Sequence, residues 1–307
     1  AEDKKGNILA MTQRHGLIII DPDLELTYLS EPFSGFFVSG FALTEDNNLL
    51  VGGFDGLTLF TAVEGDEKYR KSGRIEGIPY ARIHHIEKGL LPETYWIGTE
   101  DEGFFRVSGE GNKPEDFHVV NEGANQGLQY SSIYSIMADD AGYLWVSDYG
   151  RGVYKFRFNE DFQLKNPLLF TVKGGLPEEY IRDIFKDDEG NIWFASQSNG
   201  VAVLRDQAFT FYNHFDGALV PSITAISVEG MDQWFGSRNG KLLMTRSGNE
   251  TELKEFSERE GLPGDAITAL WQDEKGDLFI GTAESGLFFL NRSTLGISRI
   301  FTADNSL

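Results

Sequence analysis

Three aspartates, Asp139, Asp187 and Asp273, each stand three residues before a glycine, a spacing that brings calcium-binding loops to mind. The further oxygen ligands and the closing bidentate glutamate of such a loop are missing, and an Asp at a tight turn holds its own backbone. A turn-capping role is expected and a metal site is not. His84 and His85 are adjacent, so on a strand they face opposite sides; with no third His or carboxylate at ligand spacing, both are read as structural. No G-x-S-x-G elbow, Walker loop or H-E-x-x-H pair occurs. Cysteine is absent, which excludes a disulfide, a thiolate nucleophile and a Cys-ligated zinc. Neither a catalytic residue nor a cofactor is expected, although 48 acidic residues leave a glycosidase-like carboxylate pair open.

The elements that must position any site come from a repeat. Ile267 to Leu290 reads as an alternating strand, a polar turn around Asp273 and Gly276, a second strand, a turn closed by Gly286 and a third strand; period-2 alternation bounded by Asp and Gly predicts hairpins. The same grammar recurs at Ile181 to Leu204, Ile133 to Phe156 and Ile223 to Met244, more weakly at Ile83 to Val107 and Phe41 to Phe60, and in a headless form at Glu2 to Ile20. Anchored on the bulky residue of the second strand, the series is Leu9, Leu50, Trp96, Trp145, Trp193, Trp234 and Phe279, at intervals of 41 to 49 residues. That is close to the period of a four-stranded propeller blade. The fold predicted is all-β, a seven-bladed β-propeller of four-stranded antiparallel blades. Outer strands are expected at Leu24 to Leu29, Lys71 to Ile75, Asp116 to Val120, Leu168 to Val172, Ala208 to Tyr212, Leu253 to Phe256 and Ile297 to Phe301. The repeated tryptophans are expected to pack between blades.

The first copy lacks the Ile-x-x-Ile strand that opens the others, so the first blade is expected to lack its inner strand. Residues 1–307 are read as a single propeller domain, a fragment of a longer polypeptide.

In a propeller the loops from second to third strand, and from outer strand to the next inner strand, gather on one face, where loops on a rigid scaffold carry binding residues. Unlike the strands, these loops differ from copy to copy, as a single asymmetric ligand site requires and as unconstrained surface loops also show. Tyr149, Arg151, Arg238, Asp148 and Arg14 are the expected ligand-binding residues: in an acidic chain, guanidinium groups beside an aromatic ring suit sugar stacking or carboxylate pairing. Solvated loop residues paired with nearby acids are the bland alternative.

Twenty-seven Lys and Arg against 48 Asp and Glu leave a net charge of −21, which repels a phosphate backbone and argues against a nucleic-acid partner. No apolar stretch is long enough to span a bilayer, so no membrane insertion by this segment is expected. The sequons at Asn249 and Asn291 carry little weight if the source is bacterial.

The repeat, with its introductory Gly-Leu-Pro, resembles the two-component regulator propeller repeat. The matching residues are Gly261, Leu262, Pro263, Ile267, Asp273, Gly276, Gly281, Thr282, Gly286 and Leu287 in the last copy, and Gly175, Leu176, Pro177, Ile181, Ile184, Asp187, Gly190, Trp193 and Gly200 in the fifth. The resemblance implies the periplasmic sensor of a bacterial hybrid two-component system or of a diguanylate cyclase. That family commonly looks like two propellers followed by a β-sandwich, a membrane helix and a kinase, whereas one propeller's worth of repeats is present here.

The function expected is a non-catalytic propeller of a bacterial membrane signalling receptor, binding an oligosaccharide, another small ligand or a partner, with homodimerisation through the parent receptor. The alternatives are a propeller enzyme, a lyase or glycoside hydrolase, and a protein-interaction scaffold of the WD40 kind, whose Gly-His and Trp-Asp marks are absent.

Overall fold

A computed structural model describes residues 1–12, 16–29, 33, 38–63, 68–205, 208–212, 214–215, 218–219, 222–229, 232–246, 249–273 and 275–301. The chain is an all-β, seven-bladed propeller built of consecutive meanders, each running inner, second, third and outer strand in sequence order. Blade 5 is representative, with strands Ile181–Lys186, Ile192–Ser196, Val201–Arg205 and Ala208–Tyr212. Blades 2 to 7 have four strands; blade 1 has three, Ile8–Thr12, Gly16–Ile20 and Leu26–Leu29. Ahead of its first strand, Glu2 bridges Ile8 and Ala1 exchanges backbone hydrogen bonds with Leu9. By backbone proximity the chain divides into two compact units, Ala1–Val146 and Ser147–Leu307.

The polar turns are closed by their aspartates, as the spacing implies. Asp187 accepts from the Asn191 backbone N–H at 2.7 Å with one oxygen, and from Trp193 Nε1 at 2.7 Å and Asn191 Nδ2 at 2.8 Å with the other. Asp139 does the same for Tyr143 N and Trp145 Nε1, at 2.8 and 2.9 Å. Asp273 receives the backbone N–H groups of Lys275 and Asp277. In the buried Asp139 and Asp187 both carboxylate oxygens meet a donor, which is what a buried charge requires. Blade 6 lacks this device: Glu229 pairs directly with Asp232, and Trp234 Nε1 is buried without a hydrogen-bond partner among the described residues.

Between blades, the first isoleucine of one inner strand fits against a glycine of the preceding blade. A methyl on Gly52 would lie 2.5 Å from Ile83 Cγ2, one on Gly98 2.7 Å from the Ile133 carbonyl, and one on Gly236 2.4 Å from Ile267 Cγ2. The tryptophans fill the same seams. Trp193 packs with Ile223 and Phe235 of blade 6, and Trp234 with Leu262, Ile267 and Leu278 of blade 7. The Gly-Leu-Pro motif also has a physical reading. Gly175 and Gly261 end short 3-10 turns in the left-handed region, at φ +111° and +106°, and the following Leu176 and Leu262 enter the core.

Three features depart from the expectation. The outer strands of blades 4 and 6 each start four residues earlier than predicted, at Leu164 and Asn249, and run to Phe170 and Phe256. A two-stranded pairing, His214–Phe215 against Ala218–Leu219, also falls in sequence between blades 5 and 6, where the repeat reading expected no strand. None of the described helices is long and apolar enough to cross a membrane.

Candidate functional site

One irregularity of the inner strands creates the site. In blades 3, 5, 6 and 7 the pairing slips by one residue just after the first isoleucine, at Ile83/His85, Ile181/Asp183, Ile223/Ala225 and Ile267/Ala269. Each β-bulge leaves one residue outside the ladder and re-aims its side chain: His84, Arg182, Thr224 and Thr268. The blades use this position differently. Thr224 Oγ1 donates to the Ile267 carbonyl and stitches two blades together. The His84 ring stacks on Tyr134 at 4.0 Å and 20°.

In blade 5 the bulge residue is Arg182, which the sequence reading did not single out. Its Nη2 donates to Gln197 Oε1 at 2.7 Å and to the Tyr149 hydroxyl at 3.1 Å, and the guanidinium carbon lies 4.9 Å from the Tyr149 ring centroid. Tyr149 OH in turn donates to Gln197 Oε1. Tyr180 meets the Tyr149 ring edge-on, at 5.0 Å and 72°, and remains 46% exposed. The backbone locks these loops together: Gly150 N donates to Glu179 O, and Gln197 N to Tyr180 O, at 3.0 and 2.8 Å. Gly150 has φ +84°, and a methyl there would lie 3.2 Å from Tyr180 Cε1, so the approach of the two loops needs a residue without a side chain. Ser198 N bonds Glu178 Oε1, and Asn199 Nδ2 bonds the Pro177 carbonyl at 3.1 Å.

The arrangement combines a charged fork, a phenol, an amide and a partly open aromatic ring on one scaffold. It can present hydrogen bonds to a hydroxylated or anionic molecule and a ring to its apolar side. It holds no nucleophile–base pair. Among the described residues, no group of three or more His, Asp or Glu is arranged to hold a metal ion.

The sequence-chosen residues fall in different places. Tyr149 is in the network. Asp148, beside it, is buried at 1% exposure, and the exposed Arg151 guanidinium stands 3.5 Å from its carboxylate. Burial raises the neighbouring Tyr154 phenol above its usual range; Asp148 pushes the same way and Arg151 opposes. Arg238 lies in the corresponding loop of blade 6. Its N–H donates to the Ser222 carbonyl at 2.8 Å, its side chain is exposed, and nothing among the described residues joins it to Tyr149 or Arg151. Arg14 lies outside the described residues.

The sequence model of the two-component regulator propeller family matches residues 175–198, the stretch from the blade 5 Gly-Leu-Pro through Ser198. No curated protein sequence matches the chain. Among solved structures it is similar to the extracellular domain assigned to a hybrid two-component system of B. thetaiotaomicron, at a TM-score of 0.73 and 18% identity over 96% of this chain and 38% of that one. It is also similar to the extracellular domain assigned to a one-component system of the same organism, at a TM-score of 0.63 and 17% identity over 97% of this chain and 47% of the other. Virginiamycin B lyase from Staphylococcus aureus matches at a TM-score of 0.61 and 13% identity over 85% of this chain and 83% of the enzyme. At such identities the likeness shows the fold, a propeller that hosts sensors and enzymes alike. The chain spans less than half of either extracellular domain.

Proposed function

We propose that this chain is the non-catalytic, ligand-sensing propeller of a bacterial membrane signalling receptor of the two-component type, lying on the periplasmic side, and that its ligand docks at the Tyr149, Tyr180, Arg182 and Gln197 cluster. The ligand class that suits the cluster is an oligosaccharide or a comparably hydroxylated small molecule. The repeat type and the two receptor-domain neighbours support the sensor reading. The observation that carries the site is the Arg182 fork holding Tyr149 and Gln197 while Tyr180 leaves ring surface open. Arg151 and Arg238 are then rim groups that steer or select, and Asp148 supports the loop from beneath.

The test is a thermal-shift screen of the chain against oligosaccharides and small metabolites, with each hit incubated and assayed for turnover. A shift without turnover, lost in Arg182→Ala and Tyr180→Ala, is the expected result. Turnover would replace the sensor by a propeller enzyme, and a shift untouched by both substitutions would move the site elsewhere.

A further inference from the structure

Exposed aromatic rings gather around blade 3, within the compact unit Ala1–Val146. The hairpin between its second and third strands, residues 100–103, is flanked by the two loops that lead into the inner strands Ile83–Lys88 and Ile133–Asp139. Glu100 N donates to the Arg82 carbonyl of one loop at 2.8 Å; Gly103 N donates to the Ser131 carbonyl of the other at 2.9 Å, and Asp101 N to Ser132 Oγ at 3.2 Å. Each loop carries a tyrosine three residues ahead of the first isoleucine, Tyr80 before Ile83 and Tyr130 before Ile133. They are 79% and 77% exposed, and Phe54, at the tip of the blade 2 hairpin, is 52% exposed. Two of these rings are held from behind. The Arg74 guanidinium carbon lies 4.1 Å from the Tyr80 ring centroid, and its nitrogens are all engaged: Nε donates to Asp55 O at 3.0 Å, Nη1 to Glu76 Oε2 at 2.8 Å and Nη2 to Ile78 O. A methyl on Gly56 would stand 3.2 Å from Arg74 Nε, so this approach needs the glycine. The Arg82 guanidinium carbon lies 5.3 Å from the Phe54 ring centroid. A ring backed on one face by a fixed guanidinium turns its other face to solvent and is oriented before any ligand arrives.

We propose that Phe54, Tyr80 and Tyr130 form a stacking platform for a neutral glycan chain, a binding site distinct from the Tyr149 cluster and independent of that reading. Charge selects the ligand class. An anion would meet a chain of net charge −21 and the exposed carboxylates of Asp55 and Glu76 beside the rings. A cation would find the rings already engaged, since the quadrupole that attracts it is polarised by the guanidinium on the opposite face. A neutral sugar suits both features: its C–H face lies on an open ring, and its hydroxyl groups donate to the carboxylates. The placement of the rings favours a chain over a compact metabolite. The two inner strands pack against each other, so Tyr80 and Tyr130 stand at equivalent positions on neighbouring blades, and a ligand with a repeating unit meets a repeated ring.

Native electrophoresis of the full chain through gels cast with arabinoxylan, arabinan, galactomannan, β-glucan or dextran tests this. Retardation by at least one polysaccharide is expected. Tyr80→Ala and Phe54→Ala should each weaken it by about fivefold, whereas Tyr80→Phe, which keeps the ring, should leave it unchanged; circular dichroism checks that every variant is folded. Arg182→Ala, run beside them, separates the two sites. Retardation lost in Tyr80→Ala and Phe54→Ala but kept in Arg182→Ala establishes the platform whatever becomes of the Tyr149 cluster. Retardation lost in Arg182→Ala but kept in the two ring variants overturns the platform and leaves the Tyr149 site standing. Free migration in all five gels, or equal loss in Tyr80→Phe and Tyr80→Ala, also overturns it.

Discussion

The two ends of blade 5 use polar side chains in opposite ways. At one end Asp187 closes the hairpin between inner and second strands, buried and spent on Asn191 and Trp193. At the other end, five residues back along the same inner strand, Arg182 holds Tyr149 and Gln197 beside a half-open Tyr180. The first network recurs in blade 4 through Asp139 and Trp145; the second does not recur, since the bulge position is His84, Thr224 or Thr268 elsewhere. A repeated contact solves a problem that every blade has, namely satisfying a buried turn. Among the described residues of the bulged blades this contact occurs in blade 5 alone, so it answers a need outside the repeat, which is the ground for the proposed ligand site.

This contrast can be broken by mutation. The largest effect is expected for Asp187→Ala, which strips the partners from a buried indole N–H and a buried turn amide. A loss of about 3 kcal/mol in urea unfolding is expected, with ligand affinity of the remaining folded protein unchanged. Gly236→Ala, whose new methyl would meet Ile267, should cost about 2 kcal/mol by the overpacking of a blade seam. Trp→Phe substitution sharpens the comparison within the structural network. At Trp193 it leaves one oxygen of Asp187 short of a donor, while at Trp234 it removes a donor that has no partner among the described residues, so Trp193→Phe should be more destabilising by about 1 kcal/mol. Smallest in stability are the loop-end changes: Arg151→Ala and Arg238→Ala within about 0.5 kcal/mol, as for exposed residues. Arg182→Ala should abolish ligand-induced stabilisation while lowering the melting midpoint only slightly. Should Arg182→Ala unfold the protein instead, the two ends of the blade would be alike and the site assignment would fail.

Most of the architecture was legible before any coordinates. Blade boundaries, Asp-closed turns and inter-blade tryptophans follow from alternation, turn chemistry and spacing, which act over a few residues. The outer strand of blade 4 began earlier than predicted because exposed residues such as Lys165 and Asn166 carry no alternation to read. Of the proposed cluster, Tyr149 was among the residues the loops suggested, because variable loop residues stand out against a repeat, and the same logic applied to the x of Ile-x-x-Ile would have flagged Arg182. Asp148 looked like a ligand group, yet its carboxylate faces inward.

By itself, the sequence determined the number of blades, the aspartates that close turns in blades 4, 5 and 7 and the glycines that admit the next blade, because each is a local requirement that recurs along the chain. Only the tertiary structure decided that Arg182 meets Tyr149, 33 positions away, and that Tyr149 meets Gln197, 48 positions away. Stacking one blade on the next brings such residues together, and a one-residue bulge decides which of them turns toward the other; neither leaves a periodic trace in the chain.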